Sequence, residues 1–262
     1  MSSLVTLGET MGLLVAREPG PLPHVSTLQL RMAGAESNVA IGAQRLGVPS
    51  TWIGRLGRDG IGELIERELR AEGVRPHITN VAAPTGLMIK TARTSDITQV
   101  SYYRANSAGS QLCSDDIDEA TIAAADVLHV SGITPALGLG PAGAVNTAIE
   151  IARANGVTVS LDLNYRAALW DVAIARPILR ELVKLSDVVF AGIEEASIIV
   201  PTAEPQQMAR ELSTLGPTQV IVKLGHLGSV ALVDGHSHTC GVHKVRVVDS
   251  VGAGDAFVAG YL

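Results

Sequence analysis

Aromatic side chains are scarce in this sequence: its 262 residues include 2 Trp, 4 Tyr and 2 Phe. A single-stranded nucleic-acid groove is built on stacked rings, so this composition argues against that class of binder. Charge argues against a duplex binder as well. Lys and Arg number 20 against 26 Asp and Glu, a formal net charge of -6, and no basic face stands out to neutralise phosphates. The two cysteines, Cys113 and Cys240, lie far apart without metal-ligand spacing and read as reduced thiols rather than a disulfide. No apolar run approaches the roughly 18 residues a membrane helix needs, and the amino terminus has no charged-then-apolar targeting signal. The chain therefore reads as a cytoplasmic globular protein with no membrane or nucleic-acid partner. Several catalytic signatures are also missing: a glycine loop ending in GK[ST], HExxH, CxxC and GxSxG.

What is present is a hydrophobic fraction of 47%, a charged fraction of 18% and 27 glycines, which excludes disorder, collagen and coiled coil as overall classes. The length suits one large domain, or one domain with a small appendage. Short β-branched runs at 4–7, 50–53, 127–130, 157–161, 188–190 and 220–223 read as buried strands of a mostly parallel sheet. Between them 37–46, 61–71, 141–154, 174–185 and 206–215 read as helices, several ending near a glycine such as Gly47, Gly73 or Gly156. This alternation is the grammar of a three-layer α/β fold. Two stretches, about 12–32 and 86–105, show strand propensity without a following helix and read as a small accessory sheet.

Gly138-Leu-Gly140-Pro-Ala-Gly143 fits GxGxxG literally. However, its first glycine follows Val130 by eight residues, whereas a dinucleotide turn leaves its strand at once, so a loop with Pro141 at a helix start is the better reading. His236, His238 and His243 read as a solvated strand or turn, and Asp115-Asp116 as a helix start. A stronger signal is Asp249-Ser-Val-Gly252-Ala253-Gly254-Asp255-Ala-Phe257. A glycine-rich turn opening a helix exposes successive backbone N–H groups that hold anionic oxygens. An Asp beside a phosphate bound there is placed to take a proton from an attacking hydroxyl. Read from these residues alone, Asp255 is equally a helix cap after a glycine turn. Tyr102 and Arg104, two apart on a strand, would face the same side, and with Arg166 would bring two guanidiniums to a carboxylate. Solvated arginines are the alternative. Lys223, closing a strand, either approaches a phosphate or snorkels.

The Asp249–Phe257 segment resembles the carboxy-terminal signature of the ribokinase-like (PfkB) carbohydrate kinases. Gly34-Ala-Glu-Ser-Asn38-Val-Ala with Arg45-Leu-Gly47, then Gly54-Arg-Leu-Gly57-Arg-Asp59-Gly-Ile-Gly62, resembles the amino-terminal signature of that family. Lys223-Leu-Gly225-His-Leu-Gly228 resembles its nucleotide-side loop. Within the family the likeness is greatest to 2-keto-3-deoxygluconate kinases, through Gly8-Glu9, Tyr102-Tyr103-Arg104, Ser107-Ala-Gly109, Asp162-Leu-Asn164-Tyr-Arg166 and Trp170.

The resemblance implies a single ribokinase-like domain over 1–262, with a central sheet and a β lid over the sugar that often serves as a dimer contact, hence a homo-oligomer. It implies ATP-dependent phosphorylation of a sugar acid, with Asp255 as general base and Gly252, Ala253 and Gly254 around the transferred phosphoryl. Gly34, Asn38, Tyr102, Arg104 and Arg166 would bind the sugar. Asn164, Lys223, Gly225, Gly228 and Ser250 would lie on the ATP side, and Glu195 would serve Mg2+. A monovalent cation such as K+ is a further expectation. The alternatives are a neutral-sugar or nucleoside kinase, or a sugar-binding remnant without catalysis. The last follows because the chain stops at Leu262, about two turns into the helix that Asp255 opens, so that the carboxy-terminal part of the family pattern is missing. Ala33 replaces a usual glycine, Ser250 replaces Thr, and the family NxxE motif reads Gly192-Ile-Glu-Glu195 without its Asn.

Overall fold

Strands buried on both faces must be apolar at nearly every position, and this requirement organises the whole chain. The computed structural model describes residues 3–92, 98–245, 249 and 251–262. The amino-terminal half runs β1 (Leu4–Leu7), β2 (Met11–Ala16), β3 (Leu28–Ala33), α1 (Ala35–Arg45), β4 (Ser50–Gly57), α2 (Gly60–Ala71), β5 (Arg75–Val81), β6 (Leu87–Ala92), β7 (Thr98–Tyr103) and α3 (Glu119–Ala123). The remainder runs β8 (Val127–Ser131), α4 (Leu139–Ala154), β9 (Thr158–Asp162), α5 (Val172–Lys184), β10 (Val188–Gly192), α6 (Ile193–Ile199), α7 (Pro205–Ser213), β11 (Gln219–Lys223), β12 (Ser229–Val233), β13 (His236–Cys240) and α8 (Ala253–Tyr261).

Among the described residues the main sheet has the order β13-β12-β11-β10-β9-β8-β1-β4-β5. It is parallel from β11 to β5, with β12 and β13 added antiparallel at one edge. Alternation along β10 shows why both faces are covered. Val189 and Ala191 join the core under α4, α5, α6 and α7, whereas Val188 and Phe190 pack with Val39 and Ala43 of α1 and Val258 and Ala259 of α8. The result is three layers, helix on sheet on helix.

The two accessory stretches form a separate four-stranded sheet of order β3-β2-β6-β7, as the sequence pattern implies. Its small core is Met11, Leu13, Ala33 and Met88. The five expected helices lie on α1, α2, α4, α5 and α7, and the six expected strands on β1, β4, β8, β9, β10 and β11. Gly47, Gly73 and Gly156, just past three helix ends, adopt φ of 93°, 82° and 71°, the left-handed conformation that closes a helix. The GxGxxG-like stretch enters α4 after a short 3-10 turn, with Gly138 as its amino-terminal cap. Ser114–Asp116 is a single 3-10 turn, and the helix that follows starts later, behind Asp118.

One carboxylate connects the main sheet to the lid. Asp59 Oδ1 accepts from Ile61 N at 3.1 Å and Gly62 N at 2.8 Å, capping α2, while Oδ2 accepts from Thr85 N at 2.8 Å on the way into β6. Burial alone would raise its pKa, but these N–H donors hold it below the ordinary Asp value. Its contribution to stability is therefore present above the unfolded-state pKa and is lost as pH falls through the lower folded-state value. Asp59→Ala should cost about 1–2 kcal/mol in urea unfolding at pH 7, with the gap to the parent protein narrowing below about pH 4. A gap that is constant with pH would contradict the assignment.

Candidate functional site

Parallel strands in an open α/β sheet present their carboxyl ends to a common crevice, and here Asp162, Gly192 and Lys223 are the last residues of β9, β10 and β11. They line a cavity of about 850 Å³ closed from the other side by Met88, Val100 and Tyr102 of the lid. Gly34, Asn38, Asn164, Arg104, Arg166, Glu195, Gly252, Gly254 and Asp255 line the same cavity. Residues expected from distant parts of the sequence are thus brought together.

The turn into α8 supplies Gly252, Gly254 and Asp255 to this cavity. Gly252 adopts φ of 80°, a left-handed conformation that suits glycine. Because Gly252 caps the helix, the N–H groups of the first turn lack carbonyl partners within it and are available to an anion. Asp255 stands in that first turn, and its Oδ2 accepts from Asn38 Nδ2 at 2.7 Å, joining α8 to α1 across 217 residues. Burial raises the Asp255 pKa above the ordinary value. The Asn38 hydrogen bond opposes that shift, and the charge of Asp162 adds to it. A carboxylate raised in this way is a better proton acceptor than a solvated one. Gly34 is needed for a different reason: a Cβ there would stand 2.6 Å from the carbonyl oxygen of Glu9.

The cationic side chains differ from the sequence expectation. Arg104 reaches the cavity and its Cζ lies 5.9 Å from the Tyr102 ring centroid, so the two do share a side. However, its charge is matched by buried Glu9, whose Oε2 accepts from Nε at 2.7 Å and also pairs with Nη2. Two unpaired guanidiniums awaiting a carboxylate are therefore not what the structure contains. Arg166 remains half exposed, with Nη1 3.9 Å from Glu195 Oε1. Lys223 does not snorkel. Its Nζ binds both oxygens of Asp162, at 2.8 and 2.7 Å, and Asp162 is buried as its counter-ion.

Asn164 is buried with φ of 39°, in the left-handed region that Asn tolerates. Ala253 is the first residue of α8. Gly225 opens a 3-10 turn after β11 and Gly228 closes it, outside the residues that line the cavity. Ser250 lies outside the described residues. Glu195 accepts from Gly192 N at 2.6 Å, and burial followed by the charge of Asp162 raises its pKa.

Two further acids, present within the sequence motifs but given no role there, line the cavity. Glu36 is 1% exposed, accepts from Ser131 Oγ at 2.8 Å and Thr134 Oγ1 at 2.6 Å, and has its pKa raised chiefly by burial. It lies inside the Gly34–Asn38 motif, but an acid in a first helical turn ordinarily signals only a helix start. The other is Glu9, which the sequence offered only as part of the Gly8-Glu9 resemblance, without a partner or a role.

Residues 1–262 match the pfkB family carbohydrate kinase profile. The 2-dehydro-3-deoxygluconokinase of Bacillus subtilis (strain 168) is 37% identical over 265 residues, covering 98% of this chain and 81% of that protein. The crystal structure of a PfkB protein from Polaromonas sp. JS666 superposes with a TM-score of 0.92 at 36% identity, covering 99% of this chain and 87% of that one. A putative ribokinase II from E. coli, solved in complex with ATP and Mg2+, gives a TM-score of 0.92 at 26% identity, covering 100% of this chain and 85% of that one.

The Asn38–Asp255 geometry has a direct consequence. In Asn38→Ala the donor that favours the charged carboxylate is gone, so the Asp255 titration midpoint should move further up. Carbon-13 NMR of labelled aspartate carboxyls checks this, and a midpoint that stayed or fell would contradict the geometry.

Proposed function

The chain belongs to the pfkB family of carbohydrate kinases, and from that premise we propose that it phosphorylates a sugar acid, 2-keto-3-deoxygluconate first among the candidates. Residues 1–262 act as one domain with the lid as its cover, in the cytoplasm where ATP is supplied. The observation that carries this reading is a single cavity lined by Asp255 at a helix amino terminus, Asn38 against it, and Arg104 and Arg166. Asp255 takes the proton from the acceptor hydroxyl as that oxygen attacks the γ-phosphorus. The N–H groups of Gly252, Ala253 and Gly254 hold the oxygens of the transferred phosphoryl. Asn38 keeps the Asp255 carboxylate aimed, and the lid residues Met88, Val100 and Tyr102 exclude water that would otherwise compete as acceptor. The nucleotide would lie by Lys223, the last residue of β11, by Asn164, two residues past β9, and by the Gly225–Gly228 turn.

The residues present fit Mg2+. Glu195 and Asp162 offer hard oxygen donors in one cavity, and burial, followed by the charge of Asp162, raises the Glu195 pKa, a shift that a bound cation would oppose. Among the described residues no group of three acidic, His or Cys side chains forms a closed metal cage. This suits an ion held by Glu195, phosphates and water. When bound, it neutralises charge on the phosphates. Leu30 and Tyr103 are exposed on the lid and would take part in a homo-oligomer formed through that sheet.

A second reading, a kinase for a neutral sugar, is favoured by one observation: Glu9 already matches the charge of Arg104, which leaves Arg166 to attract a carboxylate. Two variants test the proposal. Asp255→Asn should lower kcat by about 100-fold to 10,000-fold with sugar affinity by calorimetry within a few-fold; normal turnover would end the mechanism. Arg166→Ala should raise KM for the acid by about tenfold or more and leave neutral sugars unaffected. Equal losses on both would favour the neutral reading.

A further inference from the structure

We propose that Glu9 is the positioning residue for Arg104: it holds the guanidinium by one edge and so presents the other edge, fixed in direction, to the bound sugar. The proposal rests on the kinase reading above for the presence of a sugar, but not on which sugar it is.

Glu9 lies between β1 of the main sheet and β2 of the lid and is 3% exposed. Its Oε2 accepts from Arg104 Nε at 2.7 Å and pairs with Nη2, while Oε1 accepts from Ser107 Oγ. Arg104 has five N–H donors. Among the described residues none of its hydrogen bonds uses Nη1, and the side chain lines the cavity. The Tyr102 ring, 5.9 Å from Cζ, limits movement of the guanidinium across its face.

The chain passes between main domain and lid four times: β1 to β2, β3 to α1, β5 to β6, and β7 to the turn at Gly109. Glu9 sits where these crossings converge. A Cβ on Gly109 would stand 2.2 Å from Glu9 Cγ, one on Gly86 2.7 Å from its Oε1, and one on Gly34 2.6 Å from its carbonyl oxygen. The socket is therefore shaped around this one residue, and the guanidinium takes its position from the crossings between main domain and lid.

Two physical consequences follow. A guanidinium already fixed loses less conformational freedom when a ligand binds, so Glu9 favours sugar affinity. Because the pair carries no net charge, Arg104 contributes direction through its remaining N–H groups, whereas net positive attraction falls to Arg166.

The test is a double-mutant cycle on steady-state kinetics, run with whichever acceptor the parent enzyme phosphorylates best. Glu9→Gln keeps the shape and removes the charge. It should raise the acceptor KM by about tenfold, with kcat within about twofold and KM for ATP unchanged. In an Arg104→Met background the same change should have no further effect on KM. A loss confined to kcat through partial unfolding, an unchanged acceptor KM, or effects that multiply would each overturn the proposal. If Glu9→Gln does not fold, Ser107→Ala removes the other anchor of the same carboxylate. It should raise the acceptor KM by a smaller factor, again silent in Arg104→Met, and an unchanged KM would overturn the proposal. Since the acceptor is chosen by the enzyme, a wrong sugar-acid assignment shows in the parent's own preference, whereas a wrong role for Glu9 shows in the cycle.

Discussion

Buried carboxylates need partners, and meeting that need at the carboxyl ends of the strands shapes this protein. Glu9, Glu36, Asp162, Glu195 and Asp255 line one cavity with three cationic side chains, Arg104, Arg166 and Lys223. Each acid has a specific partner: Arg104 for Glu9, two hydroxyls for Glu36, Lys223 for Asp162, the Gly192 N–H for Glu195 and the Asn38 amide for Asp255. For Glu36, Glu195 and Asp255 these partners do not offset burial, and their pKa values are raised. The cavity thus holds more acid than it can comfortably ionise. In the proposed reaction, a magnesium-bearing nucleotide would suit a cavity in that state better than a bare polyanion.

The fold produces this arrangement through its layering. Packing of α1 beside α8, with Val39, Ala43, Val258 and Ala259 in one cluster against Phe190, sets Asn38 opposite Asp255. The parallel strands bring their carboxyl ends to one edge: β10 and β11 pair Gly192 with Lys223, and Asp162 lies level with Phe190, within reach of the Lys223 side chain. The lid completes the enclosure because Met88 and Tyr102 are direct cross-strand neighbours on β6 and β7.

Much of this was legible in the sequence because the signals were local. Continuous apolar strands, glycine helix ends and the Gly252–Asp255 turn depend on neighbours along the chain, and the two accessory stretches stood out because no helix followed them. What was missed depended on context. β5 carries Pro76 and alternates polar residues at a sheet edge, and α6 has seven residues, too few for a helical period to emerge, whereas the exposed β13 reads as a solvated strand or turn. The ion pairs were invisible for a similar reason. Arg104 reads as a free ligand until Glu9, 95 residues away, is seen to hold it, and nothing near Asp162 in the sequence points to Lys223, 61 residues further along and two strands over. Sequence spacing gives the sides that residues face, but not which charges cancel.

The central claim is that the cavity selects an acidic sugar as phosphoryl acceptor. The most direct test is kcat/KM of the parent protein with ATP and Mg2+ for 2-keto-3-deoxygluconate beside fructose, ribose and adenosine. The account predicts that the acid leads by about tenfold or more. A neutral acceptor in the lead would contradict it.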